Sequence, residues 1–176
     1  MYEQNPAIQN ILSRRSIRRY DADKEVPQEM RRILVECACA APSAHNFKPW
    51  HFILIDEREK LNAIADAHPY GKMLKTATLA IAVCGEAKDE DRDLSYWEED
   101  CAAAMQNILL AANALSLGSV WLGVRHAPNA LEDRIKALCD IPEDIALMGI
   151  AAIGFPMETK DPHKGIDPAS IHLNKW

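Results

Sequence analysis

Residues 100–117, DCAAAMQNILLAANALSL, carry apolar side chains on nearly every side of a helix. A surface helix shows a single apolar stripe, so one that is apolar nearly all round has to be covered on more than one side. In a chain of 176 residues the cover is either the protein's own core or a second subunit, and both readings stand. Gln106, Asn107 and Asn113 interrupt the stretch, which also falls short of the roughly 20 apolar residues of a membrane span. Gly118 follows in the position of a C-terminal cap.

The segments around this helix are short. Residues 51–56 (HFILID), 79–84 (LAIAVC), 120–124 (VWLGV) and 145–155 (IALMGIAAIGF) are runs of apolar and β-branched residues that predict buried strands, the last broken by Gly149. Helical spacing predicts helices over 6–14, 27–41, 57–67 and 130–138, with a shorter one at 71–76. Pro27 sits where its helix starts and Pro42 stops it. Residues 85–99 are dense in charge and then carry Tyr96 and Trp97, which predicts an exposed connection. From Pro156 the chain holds three prolines and no helical period, an extended tail whose Ile, Leu and Trp ending is expected to dock on another surface. One domain, residues 1–176, is the simplest organisation, and no internal repeat is visible.

Composition removes several function classes. A net charge of -6 and a pI near 5.5 argue against a nucleic-acid binder, which spreads a basic field over a whole face. The five cysteines contain no C-x-x-C and the six histidines no H-x-x-x-H spacing, so neither a disulfide framework nor a metal site is expected. The first residues lack a basic start followed by an apolar run, so no signal peptide is expected and the cytoplasm is the expected location.

Against that acidic background, residues 14–20 read RRSIRRY, four arginines in seven positions. Guanidinium forks match phosphate oxygens bidentately and a serine hydroxyl adds a neutral donor, so Arg14, Arg15, Ser16 and Arg18 together could hold one phosphate. The other reading is a solvated basic turn that pairs with surface carboxylates. A second stretch, APSAHNFKPWHF, begins at Ala41: small residues at Ala41, Ser43 and Ala44 would let a flat ligand approach the backbone, and Asn46 offers a donor and an acceptor to a heterocycle edge. Alone, this stretch also reads as a helix-to-strand loop in which Pro42, Pro49 and Trp50 are turn and packing residues. No G-x-G-x-x-G or P-loop pattern is present, so a nucleotide-type ligand would be held some other way.

RRSIRRY, APSAHNFKPWHF, GKML at 71–74, the long helix running into SVWLG, and the ending IGFPME with IHLNKW occur here in an order that resembles the nitroreductase family of FMN-dependent oxidoreductases. The resemblance implies an α+β fold of three layers, with a mainly antiparallel central sheet flanked by helices and a C-terminal tail exchanged with the partner of a homodimer. It implies FMN with its 5'-phosphate, ribityl chain and pyrimidine side held by Arg14, Arg15, Ser16 and Arg18. Pro42, Ser43, Ala44 and Asn46 match residues that reach the flavin from the other protomer. Lys72 matches a lysine beside flavin N1 and the C2 carbonyl, where a fixed cation stabilises charge that collects on reduction. Leu122 and Gly123 match the strand end whose backbone faces N5. In the tail, Gly165 stands where relatives carry an arginine, which leaves Lys164 as the candidate to complete the phosphate site, a point charge in place of a fork. Lys48 stands where many relatives have glutamine.

The activity implied is hydride transfer from NADH or NADPH through flavin N5 to a small electron-poor acceptor, nitroaromatic or quinone-like, with no nucleophile or general base from the protein. Tyr96 and Trp97 are candidates to line the acceptor side. The same fold also hosts reductive dehalogenases and other specialised flavin enzymes, and a non-enzymatic phosphate- or nucleic-acid-binding protein is the remote alternative.

Overall fold

The computed structural model describes residues 4–88, 94–161, 163 and 165–176. Four strands, β1 (Trp50–Ile55), β2 (Leu79–Glu86), β3 (Gly118–Gly123) and β4 (Ile145–Gly154), form one sheet in the order β1-β2-β4-β3, every neighbouring pair antiparallel. Five α-helices, α1 (Pro6–Ser13), α2 (Gln28–Cys39), α3 (Arg58–Ala67), α4 (Trp97–Ala114) and α5 (Leu131–Leu138), complete the fold, which is α+β as expected.

The sheet is buried on both faces, which is why its central strands read as unbroken apolar runs rather than as alternation. Leu79, Ile81 and Val83 of β2 face one cluster with Leu34 and Ala38 of α2 and Cys101, Met105 and Ile108 of α4. Ala80, Ala82 and Cys84 face the other, with Leu61 and Ile64 of α3 and Ile135 of α5. Burial holds the thiols of Cys84 and Cys101 protonated, each pushed up to about 12, and all five cysteines are free.

Two of the three polar interruptions of α4 serve as fasteners. Asn107 Nδ2 donates to the Cys37 carbonyl at 2.9 Å, pinning α4 to α2. Asn113 Nδ2 donates to Asn10 Oδ1 at 2.8 Å, and Asn10 Nδ2 donates to the Leu110 carbonyl at 2.9 Å. Helix α1, which buries no residue, is held to α4 by these amides and opened by Asn5, whose side chain accepts from the Ala7 and Ile8 N–H groups.

Four local expectations are corrected. Helix α4 starts at Trp97, so Trp97 is core, 6% exposed, while Tyr96 before it stays on the surface; residues 89–93 of the expected connection lie outside the described residues. Residues 71–76 make only a single 3-10 turn, Lys72–Lys75. Gly118 is not the cap of α4: Ser116 takes the left-handed conformation (φ 59°), and Gly118 opens β3 where Ile17 packs, 2.7 Å from the place a Cβ would occupy. Gly149 does not break β4. The strand is continuous, but its register with β2 slips between Val83 and Cys84, leaving Met148 as an extra residue opposite them. The freed Met148 carbonyl accepts from the Val124 and Arg125 N–H groups.

Candidate functional site

The arginine segment is anchored at two points. Ser16 bridges to Ser119 of β3 in parallel, and the Ile17 N–H donates to the Ser119 carbonyl at 3.0 Å. Three residues on, Tyr20 is buried, its hydroxyl within 2.6 Å of the Ile17 carbonyl and 3.0 Å of the Ala152 carbonyl. Burial raises the Tyr20 pKa well above that of an ordinary phenol, so the hydroxyl stays a donor. Gly154 leaves room for this ring, whose Cβ is 3.0 Å from where a glycine Cβ would stand. Arg14 and Arg15, just before the first anchor, are half-buried, and Arg18 and Arg19, between the two anchors, are exposed.

The guanidinium groups along this segment lack the bonded partners that the other described arginines have. Arg31 pairs with Asp56, Arg32 with Glu36, and Arg125 with Glu98 and Glu132. Arg58 donates to the carbonyls of Leu74, Lys75 and Ala77, and Arg134 to that of Ala67. Among the described residues the guanidinium groups of Arg14, Arg15 and Arg19 have no such partner, and that of Arg18 reaches only the Ser16 carbonyl at 3.5 Å. Among the described residues, no carboxylate is within salt-bridge distance of these guanidinium groups. Glu158 is drawn in and accepts the Arg18 backbone N–H at 2.6 Å, a bond that holds its carboxyl below the usual range with help from Lys160 and Arg19. Lys160 Nζ donates to the Ser16 carbonyl, bringing a tail cation onto the segment. Arg15, Lys160, Ser13 and Asn113 share an open cavity of about 280 Å³. Lys164 lies outside the described residues.

At the other end of β3, Gly123 is joined to the turn that carries Lys72 through His68. Lys72 opens the 3-10 turn and is exposed, its ammonium without a partner among the described residues. Just before it, His68 Nε2 lies 3.0 Å from the Gly123 carbonyl. Gly123 is exposed and a Cβ on it would meet nothing within 4 Å, whereas the Leu122 side chain is 4% exposed in the core, leaving only its backbone for a ligand. Gly123 borders a cavity of about 450 Å³ shared with Trp121, Glu98, Arg125, His126 and Met148. Burial pushes the Glu98 carboxyl up, but hydrogen bonds from His126 and Arg125 outweigh it and hold the group below its ordinary value.

The 42–46 stretch sits elsewhere. Ala44 N–H donates to Asp100 Oδ1 at 2.9 Å, and the Ser43 hydroxyl accepts from the Lys48 N–H at 3.0 Å. His45, Asn46 and Lys48 all have positive φ (53°, 57° and 51°), a compact turn in which Pro42 and Asn46 remain exposed. No hydrogen bond among the described residues joins this turn to the arginine segment or to the Lys72 turn. Three residues of the site went unnoticed in the sequence: Asp100, buried in the first turn of α4, Lys160 and His68. An acid in the first turn of a helix is ordinary N-terminal chemistry, and nothing about Lys160 or His68 distinguishes them before the chain folds.

These residues fit a phosphate-bearing flat ligand such as FMN: unpaired guanidinium forks at the start of β3, open space over Gly123 at its end, and an unpaired lysine on the turn that His68 ties to that end. Among the described residues no group of three or more His, Cys, Asp or Glu is placed to hold a metal ion, and no helix is long and apolar enough to cross a membrane. The chain resembles known proteins over nearly its whole length. A protein of Methanothermobacter thermautotrophicus named as an NADH dehydrogenase/NAD(P)H nitroreductase is 43% identical over 172 residues, covering 96% of this chain and 87% of the relative. The crystal structure of a similarly named protein from Parabacteroides distasonis superposes with a TM-score of 0.91 at 34% identity, over 98% of this chain and 100% of the other. An FMN-dependent nitroreductase from Clostridium difficile gives 0.88 at 30% identity, over 96% and 99%. Residues 11–71 and 66–155 match the Nitroreductase family, and the chain belongs to it.

Proposed function

We propose that this protein is an FMN-dependent oxidoreductase that passes hydride from NADH or NADPH to a small electron-poor acceptor, nitroaromatic or quinone-like, and that it works as a homodimer. The observation that carries the reading is the set of unpaired guanidinium groups at Arg14 and Arg15, in a chain whose other described arginines outside this segment are all bonded. Anchored by Ser119 and Tyr20, this segment binds the phosphate and ribityl chain, with Ser16 and Arg18 completing the contact. When bound, FMN supplies the two-electron hydride chemistry. The protein's part is to orient and to stabilise charge. Lys72 places a cation at one edge of the ring, and the Leu122–Gly123 backbone lets the ring lie flat where no side chain intrudes.

Among the described residues no hydrogen bond joins the 42–46 turn to the arginine segment, which supports its use across a dimer: Pro42, Ser43, Ala44 and Asn46 of each protomer would complete the partner's site. The exposed tail residues Ile166, Ile171, Leu173 and Trp176, the last 98% exposed, support an exchanged tail in the same dimer. Lys164 is the proposed tail cation at the phosphate, with Lys160 close behind it on Ser16. Anaerobic stopped-flow mixing of the FMN-loaded protein with NADH or NADPH tests the activity. Bleaching of the flavin band, reversed by a nitroaromatic or a quinone, is the expected result, and no bleaching with either nucleotide would remove the assignment.

A further inference from the structure

We infer that His68 is a positioning residue that locks the Lys72 turn and the Gly123 strand end into one unit, so that the two protein groups flanking the flavin keep a fixed separation. The inference rests on the flavin site proposed above. His68 ends α3 and is 5% exposed. Its two ring nitrogens have partners of opposite kind. The Tyr70 N–H points at Nδ1 at 3.1 Å, and an amide N–H can only donate, so Nδ1 carries a lone pair. The Gly123 carbonyl faces Nε2 at 3.0 Å and can only accept, so Nε2 carries the hydrogen. The ring is thereby held as a single tautomer that spans two segments 55 residues apart in sequence.

The backbone tightens the same joint. The Gly71 N–H donates to the His68 carbonyl at 2.9 Å and the Leu74 N–H to the Gly71 carbonyl at 2.9 Å, so Lys72 leaves a turn whose both sides are bonded. Gly71 is buried, and a Cβ there would stand 2.9 Å from His68 Cβ, so the turn packs directly on the histidine. The peptide plane of the Gly123 carbonyl is held on its other side by the Val124 N–H, which donates to the Met148 carbonyl at 3.4 Å, so the His68 bond closes the second side of a plane already tied to β4.

The test compares His68→Leu, which fills the space without a donor, with His68→Gln, whose amide nitrogen can replace Nε2–H. Flavin-free proteins are titrated with FMN by fluorescence, and the midpoint potential of each loaded protein is measured. His68→Leu is expected to bind FMN about tenfold more weakly. Its midpoint potential is expected to be lower, because the Lys72 cation is no longer held where negative charge collects on reduction. His68→Gln is expected to restore both values, which mere filling of the core would not do. Nitrogen-15 NMR of the wild-type imidazole is expected to show the Nε2–H tautomer and needs no variant to fold. Parental affinity and potential in His68→Leu, failure of His68→Gln to rescue, or an Nδ1–H tautomer would each overturn the inference while leaving the flavin reading intact. Failure of the wild-type protein to bind FMN would overturn both.

Discussion

At the scale of the residue, the arginines divide by the presence of a bonded partner, and the proposed flavin site falls on those without one. Arg14 is half-buried without a carboxylate, whereas Arg31 is tied to Asp56 and the Val26 carbonyl. Arg14→Ala is expected to weaken FMN binding by about 10- to 100-fold, the loss of a charge-assisted contact of about 1.5–3 kcal/mol, with little change in the stability of the flavin-free protein. Fluorescence titration and thermal melting of the same samples read the two effects separately. Gly123 gives the complementary case. A methyl group there enters open space, so Gly123→Ala is expected to fold within about 0.5 kcal/mol of the parent yet to bind flavin poorly, because the added carbon stands where the ring would lie. Equal FMN affinity in this variant would mean that the ring lies elsewhere.

At the scale of the element, the bulge at Met148 and the glycine beside it shape the end of β4. A Cβ on Gly149 would stand 2.5 Å from Trp121 Nε1 and 2.8 Å from the Leu122 carbonyl. Gly149→Ala is therefore expected to cost about 1–3 kcal/mol, seen as a lower urea midpoint, since an indole and a strand would have to move. Nearby, Glu98 at the start of α4 joins Arg125 and His126. Its carboxyl is held below its unfolded value, so its contribution to stability is full above about pH 4.3 and is lost as pH falls through the depressed folded value. The side chain is 40% exposed, which keeps the effect small. Urea midpoints of Glu98→Gln should lie slightly below the parent at pH 7 and converge with it under acid conditions; a gap that widened in acid would contradict the sign.

At the scale of the whole molecule, the apolar surface left uncovered is concentrated in the tail and in α1, where Ile11 and Leu12 are 55% and 50% exposed. Helix α4, whose apolar circumference left two covers open, is largely covered by the sheet, α2 and α1 of its own chain. The proposed dimer interface therefore draws on the tail, α1 and the 42–46 turn. Removal of residues 166–176 is expected to shift the protein toward monomer in sedimentation and to weaken FMN binding with it. A truncated protein that stayed dimeric and yellow would show that the tail is not the clasp.

Much of this protein was legible in one dimension, because its two central strands, β2 and β4, are buried along nearly their whole length and its helices are periodic, although the edge strand β1, expected to be buried, leaves His51 and Leu54 exposed. The run LAIAVC needed no partner to be read as a strand, and the order of RRSIRRY, APSAHNFKPWHF and GKML was enough to point to the family. What the sequence could not show were relations between segments far apart along the chain. Gly118 looks like a helix cap until Ile17 is seen lying on it, and Trp97 looks like surface until the start of α4 turns it into the core. Which arginines are unpaired, and that His68 reaches the Gly123 carbonyl, depend on what each side chain meets after folding, and no local pattern encodes that.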